Sequence, residues 1–330
     1  MTLVLVPASL PVTLADIREA HDRIRDLVHR TPVLTCETLD ARAGNDAGPR
    51  HLRFKCENFQ KVGAFKFRGA CNAVFKLDDV SARRGVVTHS SGNHAQALAL
   101  AARLRGISAR IVMPNNSPQV KVNAVRSYGA EIIFCEPTQA AREAAANAAV
   151  ATTGGTLIPP YDHPDVIAGQ GTIALEFLEQ CPDLEAIIVP VGGGGMISGV
   201  AIAAKAVRPS IRVIGAEPAG ADDAFRSKRS GTRQPPPAAE TIADGLRTGL
   251  GDLTWPVVRD LVDEIITVEE QSIVEAMRLV FERMKVVIEP SAAVGVAVAL
   301  DRRFSARSGL SPTGVILCGG NVDLDRLPWM

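Results

Sequence analysis

The sequence predicts an α/β protein of two domains, with open, mostly parallel sheets flanked by helices. Three observations carry this. The chain has 330 residues, more than the ~250–300 at which a single core stops growing. Hydrophobic residues make up 46% of it but aromatics only 4%, so Ala, Val, Ile, Leu and Gly must fill the interior, as in parallel sheets covered on both faces. Short strand-like runs also alternate with helix-length periodic segments, the pattern of βαβ units.

The elements follow in order. Residues 14–28 put Ile17, Ile24, Leu27 and Val28 on one side behind Thr13 as a cap, so a helix is expected. Thr31-Pro32 ends it. Residues 51–57 alternate like a strand, and 67–77 have the helical period. From 85 the pattern repeats: strands at 85–88, 109–113, 131–135 and 156–158, with helices running to Arg105 and over 117–128 and 139–152. These make a small βαβαβαβ block over 85–162. A helix is expected at 167–180, a strand at 186–191, a helix at 196–207 and a strand at 212–216. The polar stretch 226–240 contains Pro235-Pro236-Pro237 and reads as a loop. Helices at 269–284 and 292–302 and a strand at 314–318 complete the chain.

Charge and cysteine usage exclude several classes. Lys plus Arg and Asp plus Glu number 36 each, which leaves no electrostatic footprint for nucleic acid or an anionic membrane. The basic cluster Arg226, Lys228, Arg229 and Arg233 reads as a solvated loop. Six cysteines, at 36, 56, 71, 135, 181 and 318, form no CxxC pair, which fits reduced thiols in a cytosol rather than disulfides or a zinc site. Residues 1–7 are apolar but lack a basic start and are broken by Pro7, so they read as an arm rather than a signal peptide. No charge-free apolar run of about 18 residues is present to span a membrane. A cytoplasmic protein is expected.

Five motifs fall where such sheets place ligands, at the carboxyl ends of strands. Glycines 192–195 follow a strand and precede a helix, so their backbone can wrap a phosphate at a helix N-terminus; the alternative is a tight turn. The same glycines, with Ser198 and Glu217, partly imitate a dinucleotide fingerprint, which keeps a nicotinamide oxidoreductase open. Lys66 sits between Phe65 and Phe67 at a helix start. Desolvation there makes an amine nucleophilic toward an aldehyde; the alternative is a snorkelling surface lysine. Ser90-Ser91-Gly92-Asn93-His94 can hold a carboxylate or simply cap a helix. Glu217 and Asp223, with a carbonyl between them, suit a hard cation or are solvated loop acids. Cys318-Gly319-Gly320-Asn321 ends the last strand with a thiol that points into a cleft or lies inert in the core.

Together these segments resemble the fold type II pyridoxal-phosphate enzymes, whose fold is like that of the tryptophan synthase β subunit. Within that group the chain is most similar to serine racemase and serine/threonine dehydratase. The resemblance covers residues 14–325. It rests on Phe54-Lys55-Cys56-Glu57, Lys66-Phe67-Arg68-Gly69-Ala70, Thr88-His89-Ser90-Ser91-Gly92-Asn93-His94, Val166-Ile167-Ala168-Gly169-Gln170-Gly171-Thr172 and Pro190-Val191-Gly192-Gly193-Gly194-Gly195-Met196. Thr241-Ile242-Ala243-Asp244-Gly245 and Ile288-Glu289-Pro290-Ser291 add to it. A nicotinamide enzyme explains only one of these motifs.

The resemblance implies roles. Lys66 is the Schiff-base lysine and the base for the Cα proton. Glycines 192–195 with Met196 cradle the phosphate, Phe65 and Asn93 face the cofactor with Asn93 on its 3′-oxygen, and Cys318 meets the pyridine nitrogen. Ser90, Ser91, Asn93 and His94 take the substrate carboxylate, with Arg142 and Thr248 nearby. Glu217, the Ala221 carbonyl and Asp223 form a site for Mg, Ca or Mn. Residues 85–162 become a small mobile domain, and 1–84 with 163–330 the large cofactor domain, in an expected homodimer. The chain ends soon after Cys318, so no regulatory domain of the kind found in biosynthetic threonine deaminases is expected.

Three positions rank the activities. Cys318 in place of a serine, and Tyr161 in place of an asparagine, favour a dehydratase. Ser91 matches the residue that exchanges a proton on the face opposite the lysine, as racemisation requires. The expected order is an ammonia-lyase acting on L-threonine or L-serine, then a dehydratase of 3-hydroxyaspartate or another β-hydroxy amino acid, then serine racemase. Arg142 or Arg247 would read a second carboxylate.

Overall fold

The Thr13 hydroxyl accepts from the Asp16 amide, and the Asp16 carboxylate accepts from the Thr13 amide, so the first helix opens on a reciprocal capping box. The computed structural model describes residues 10–46, 48–307 and 309–330; the arm expected at 1–7 lies outside the described residues. Helix α1 (Leu14–Ile24) buries Ile17, Ala20 and Ile24 and ends a turn before the expected Val28. Strand β1 (Val33–Leu34) and helix α2 (Glu37–Ala43) follow; both are too short to show a period in the sequence. Strand β2 (Leu52–Lys55) leads through two 3₁₀ turns to α3 (Lys66–Lys76). Asp78 caps the short α4 (Asp79–Arg84).

The next segment alternates as expected: β3 (Val86–His89), α5 (Asn93–Arg105), β4 (Ala109–Pro114), α6 (Gln119–Ser127), β5 (Glu131–Cys135), α7 (Gln139–Thr153) and β6 (Thr156–Leu157). Then come α8 (Pro164–Gln180), β7 (Ala186–Pro190), α9 (Gly195–Val207), β8 (Arg212–Pro218), α10 (Asp223–Ser230), α11 (Thr254–Leu261), β9 (Glu264–Val268), α12 (Glu270–Leu279), α13 (Pro290–Leu300), α14 (Arg302–Ser305) and β10 (Thr313–Ile316).

Residues 226–230, expected in a loop, belong to α10. That helix buries only Asp223, Ala224 and Ser227, so small and polar residues form its inner face and hide its period. Arg229 and Arg233 are exposed as expected, but three of the four basic residues there have partners. Arg226 pairs with Asp222, Lys228 donates to the Val258 and Arg259 carbonyls, and Arg233 pairs with Asp252. The helix expected over 269–284 leaves α geometry at Val280 for one π turn.

The strands form two sheets. One has the order β1-β2-β10-β7-β8-β9, parallel except for the β1–β2 pair; the other, β5-β4-β3-β6, is parallel throughout. Every residue of β7 is buried, as a central strand covered on both faces must be. The core of the smaller sheet reaches beyond 85–162. Ile24, Val28, Phe67, Ala70 and Val74 pack with Leu98, Ile111 and Met113. Helix α3 therefore packs on α5 on one side and α8 on the other. No described helix is long and apolar enough to cross a membrane.

Candidate active site

The carboxyl ends of β3, β7 and β10 carry the motifs, and α3 brings Lys66 to the same place. Phe65 donates its amide to the Cys318 carbonyl at 3.0 Å, which ties the start of α3 to the end of β10. Three residues after Phe65, Arg68 is fully buried and pairs with Glu57 and Glu176, while Lys55 pairs with Glu176. This ion cluster anchors α3 against α8.

Lys66 Nζ donates to the Pro160 carbonyl at 2.7 Å and lies 5.0 Å from the centre of the Phe65 ring. Burial pushes the amine down to about 8, although Cys318 and Glu289 favour its charged form. Burial and then the Glu289 charge push the Cys318 thiol well above its usual value, so it stays protonated. His94 is driven to about 3, first by burial and then by the Lys66 charge. A neutral imidazole 3.0 Å from the Ile158 carbonyl must carry its proton on Nε2. Its Nδ1 is buried without a partner among the described residues.

Glycines 192–194 turn the chain into α9, which no side chain caps. Gly194 has φ +86°, open to glycine at little cost. A Cβ on Gly193 would lie 2.5 Å from the Tyr161 ring, and one on Gly192 3.4 Å from Thr248 Oγ1. The cradle, Tyr161 and Thr248 are thus in contact, with Met196 buried in the first turn of α9. An uncapped 13-residue helix behind a glycine turn fits a phosphate, and a desolvated lysine beside it fits an aldehyde. These residues therefore suit pyridoxal phosphate.

Ser90 and Ser91 are half-buried in the turn before α5, where the Ser90 amide is held by the Val112 carbonyl. Asn93 opens α5; its Nδ2 donates to both oxygens of Glu289, at 3.1 and 3.0 Å. Arg142 lies in the first turn of α7, where its charge acts on His89 and Cys135; among the described residues its buried Nε has no partner. Arg247 is turned to the Thr241 carbonyl.

Glu217 and Asp223 are both buried, as is Ala221. Burial raises Glu217 to about 8, opposed by hydrogen bonds from the Phe225 and Ala224 amides, and raises Asp223 to about 6. No cluster of three or more His, Cys, Asp or Glu side chains suited to a metal occurs among the described residues; the expected set has two carboxylates and a carbonyl.

Sequence reasoning left Glu289 without a role. Its segment, Ile288-Glu289-Pro290-Ser291, entered only as part of the family resemblance. Only the fold shows Glu289 buried, raised to about 7 by that burial against the Asn93 hydrogen bond. Pro160 carries no signal in its side chain, because its carbonyl makes the contact.

A helix-flanked, mostly parallel sheet with a desolvated lysine held at Pro160, next to the Tyr161 that packs on a glycine cradle, defines a pyridoxal-phosphate enzyme of the α/β class. The family model described as "Pyridoxal-phosphate dependent enzyme" matches residues 24–319, and the chain belongs to that family. The serine racemase of Arabidopsis thaliana is 55% identical over 314 residues, which cover 94% of this chain and 93% of the relative. The structure of maize serine racemase superposes with a TM-score of 0.93 at 52% identity, covering 96% of this chain and 95% of that one. A threonine deaminase, from the organism abbreviated T.th., is also similar, with a TM-score of 0.87 at 42% identity, covering 95% and 99%.

Proposed function

We propose that this enzyme racemises serine and also eliminates its β-hydroxyl to give 2-oxo acid and ammonia. The order reverses the sequence-based ranking, which put the ammonia-lyase first. The observation that carries it is the 55% identity to a serine racemase over nearly the full length of both chains. The presence of Ser91 in the turn that leads to His94, on which the Lys66 charge acts, supports it. The turn of Arg247 toward Thr241 weighs against 3-hydroxyaspartate, since one of the two arginines that could read a second carboxylate is engaged.

In this reading Lys66 would hold the cofactor's aldehyde carbon, glycines 192–195 and Met196 its phosphate, Asn93 its 3′-oxygen and Cys318 its ring nitrogen, with Phe65 beside Lys66. Bound pyridoxal phosphate supplies the electron sink that makes Cα acidic. Ser90, Ser91, Asn93 and His94 orient the substrate carboxylate, with Arg142 and Thr248 at its edge. Lys66 Nζ, held near neutral by burial, takes the Cα proton on one side. Ser91 Oγ returns a proton to Cα from the other side, which inverts the centre. When the β-hydroxyl departs first, elimination results. A neutral Cys318 thiol leaves the ring nitrogen unprotonated and keeps elimination competitive. Glu217, the Ala221 carbonyl and Asp223 hold a divalent cation, residues 85–162 move as a small domain, and the enzyme works as a homodimer.

The experiment incubates the protein and pyridoxal phosphate with each stereoisomer of serine, threonine and 3-hydroxyaspartate. Chiral chromatography reads inversion, and a coupled assay reads oxo acid. D-Serine from L-serine, with accompanying pyruvate, is the expected result. Oxo acid with no inverted amino acid would return the enzyme to the lyases.

A further inference from the structure

The Glu289 carboxylate stands where three elements meet. It precedes α13, a position that favours a negative charge. Its amide donates to the Gly319 carbonyl at 3.0 Å. A Cβ on Gly319 would sit 2.6 Å from Glu289 Oε1, so the glycine makes the room this carboxylate occupies. Oε2 accepts from the Asn321 amide at 3.2 Å, and both oxygens accept from Asn93 Nδ2.

A carboxamide can sit either way round, and here two contacts choose. Asn321 Nδ2 donates to the Val62 carbonyl at 2.7 Å, and a carbonyl accepts only, so the nitrogen of Asn321 must face that side. The same nitrogen donates to Asn93 Oδ1 at 2.9 Å. That places the Asn93 oxygen toward Asn321 and its nitrogen toward Glu289. A flipped Asn93 would set its oxygen against a carboxylate and its nitrogen against another N–H donor. Asn93 Nδ2 carries two hydrogens, and Glu289 draws on one. The other remains for an acceptor, and a phenolic oxygen that has lost its proton accepts only donors.

We propose that Glu289 is a positioning residue: it holds the Asn93 carboxamide in the one orientation that leaves an N–H for the 3′-oxygen of pyridoxal phosphate. This rests on the reading that Asn93 meets that oxygen. It assigns the orientation to the far side of the cleft. Asn93 opens α5 beside the four-stranded sheet, whereas Glu289 and Asn321 lie at the end of the six-stranded one.

A double-mutant cycle tests it. The affinity for pyridoxal phosphate and the absorbance of the bound cofactor are measured for the wild type, Asn93→Ala, Glu289→Leu and the double variant, with melting of the cofactor-free proteins as a check on folding. Glu289→Leu should weaken binding about tenfold to a hundredfold, as expected for a lost hydrogen bond to a charged group. It should also move the absorbance band to shorter wavelength, because the 3′-oxygen then keeps its proton. The double variant should bind within about twofold of Asn93→Ala alone, because the two residues act through one contact. Glu289→Gln, which keeps one acceptor, should recover most of the loss. If Glu289→Leu fails to fold, Glu289→Ala takes its place in the cycle with the same expectation of non-additive loss. Fully additive losses, or wild-type affinity in a folded Glu289→Leu, overturn the proposal. If Asn93→Ala alone leaves affinity and absorbance unchanged, the Asn93 reading falls and this proposal with it.

Discussion

Lys66 Nζ and the Pro160 carbonyl are 2.7 Å apart, across the seam where the chain leaves the smaller sheet for α8. The contact orders the amine, while burial holds it at about 8 rather than 10.5. Because its pKa is lowered, the neutral, nucleophilic form is already half populated near pH 8. The rate of covalent attachment of pyridoxal phosphate to the cofactor-free protein should therefore rise with pH and level off above about 8. Stopped-flow absorbance reads this directly. Lys66→Ala should abolish attachment, and a borohydride-fixed cofactor on any other lysine would refute the assignment.

Ser91→Ala should separate the two activities. Inversion of serine needs a proton donor opposite Lys66, whereas loss of the β-hydroxyl does not. Racemisation should fall by about 10²-fold or more, the usual size of a general-acid contribution, while pyruvate formation stays within a few-fold. Equal loss of both rates would assign Ser91 to binding alone.

Gly194→Ala attacks the cradle through the backbone. At φ +86° a side chain is strained, and the new Cβ would lie 2.8 Å from the Thr254 Cβ and from Leu250 Cδ2. We expect destabilisation of at least about 1–2 kcal/mol from the left-handed conformation, read by urea unfolding. We also expect weaker binding of pyridoxal phosphate, read by fluorescence titration.

Glu217 and Asp223 are two buried carboxylates without a buried cation against them in the contacts above. Magnesium, calcium or manganese should raise the melting temperature, equivalent to about 2.7 kcal/mol at a hundredfold excess over its dissociation constant. Asp223→Asn should remove most of that rise. A wild type indifferent to all three cations would end the cation reading.

The Arg68 cluster should dominate stability. Arg68→Met leaves Glu57 buried without its cationic partner and Glu176 with Lys55 alone, a loss of about 3–5 kcal/mol. Burial alone would raise Glu176, but the hydrogen bonds and charges of Arg68 and Lys55 outweigh it, so its pKa is lowered. An acid lowered on folding adds stability above its unfolded value, and that stability is lost as pH falls through the folded value. Acid unfolding should accordingly begin at a higher pH in Lys55→Met than in the wild type, as circular dichroism during acid titration would show.

Much of the site was legible because each motif closes a strand whose hydrophobic run is plain. Ile187, Ile188 and Val189 announce β7, so the glycines after them had to lie at its carboxyl end. Val86 and Val87 do the same for the serine loop. Helix α10 and strand β9 were illegible for the opposite reason. The first buries small and polar residues, and the second is a short edge strand whose run merges into polar flanks.

The sequence by itself determined the fold class and the family, because periodicity and glycine placement are local properties of the chain. Only the tertiary structure decided which distant groups act on them. Glu289 is 196 residues from Asn93, Glu176 is 108 from Arg68, and Pro160 is 94 from Lys66. Periodicity shows which face of an element is buried, but not which partner it is buried against. A lysine's pKa depends on how deeply the fold buries it, and an asparagine's orientation on the partner it meets.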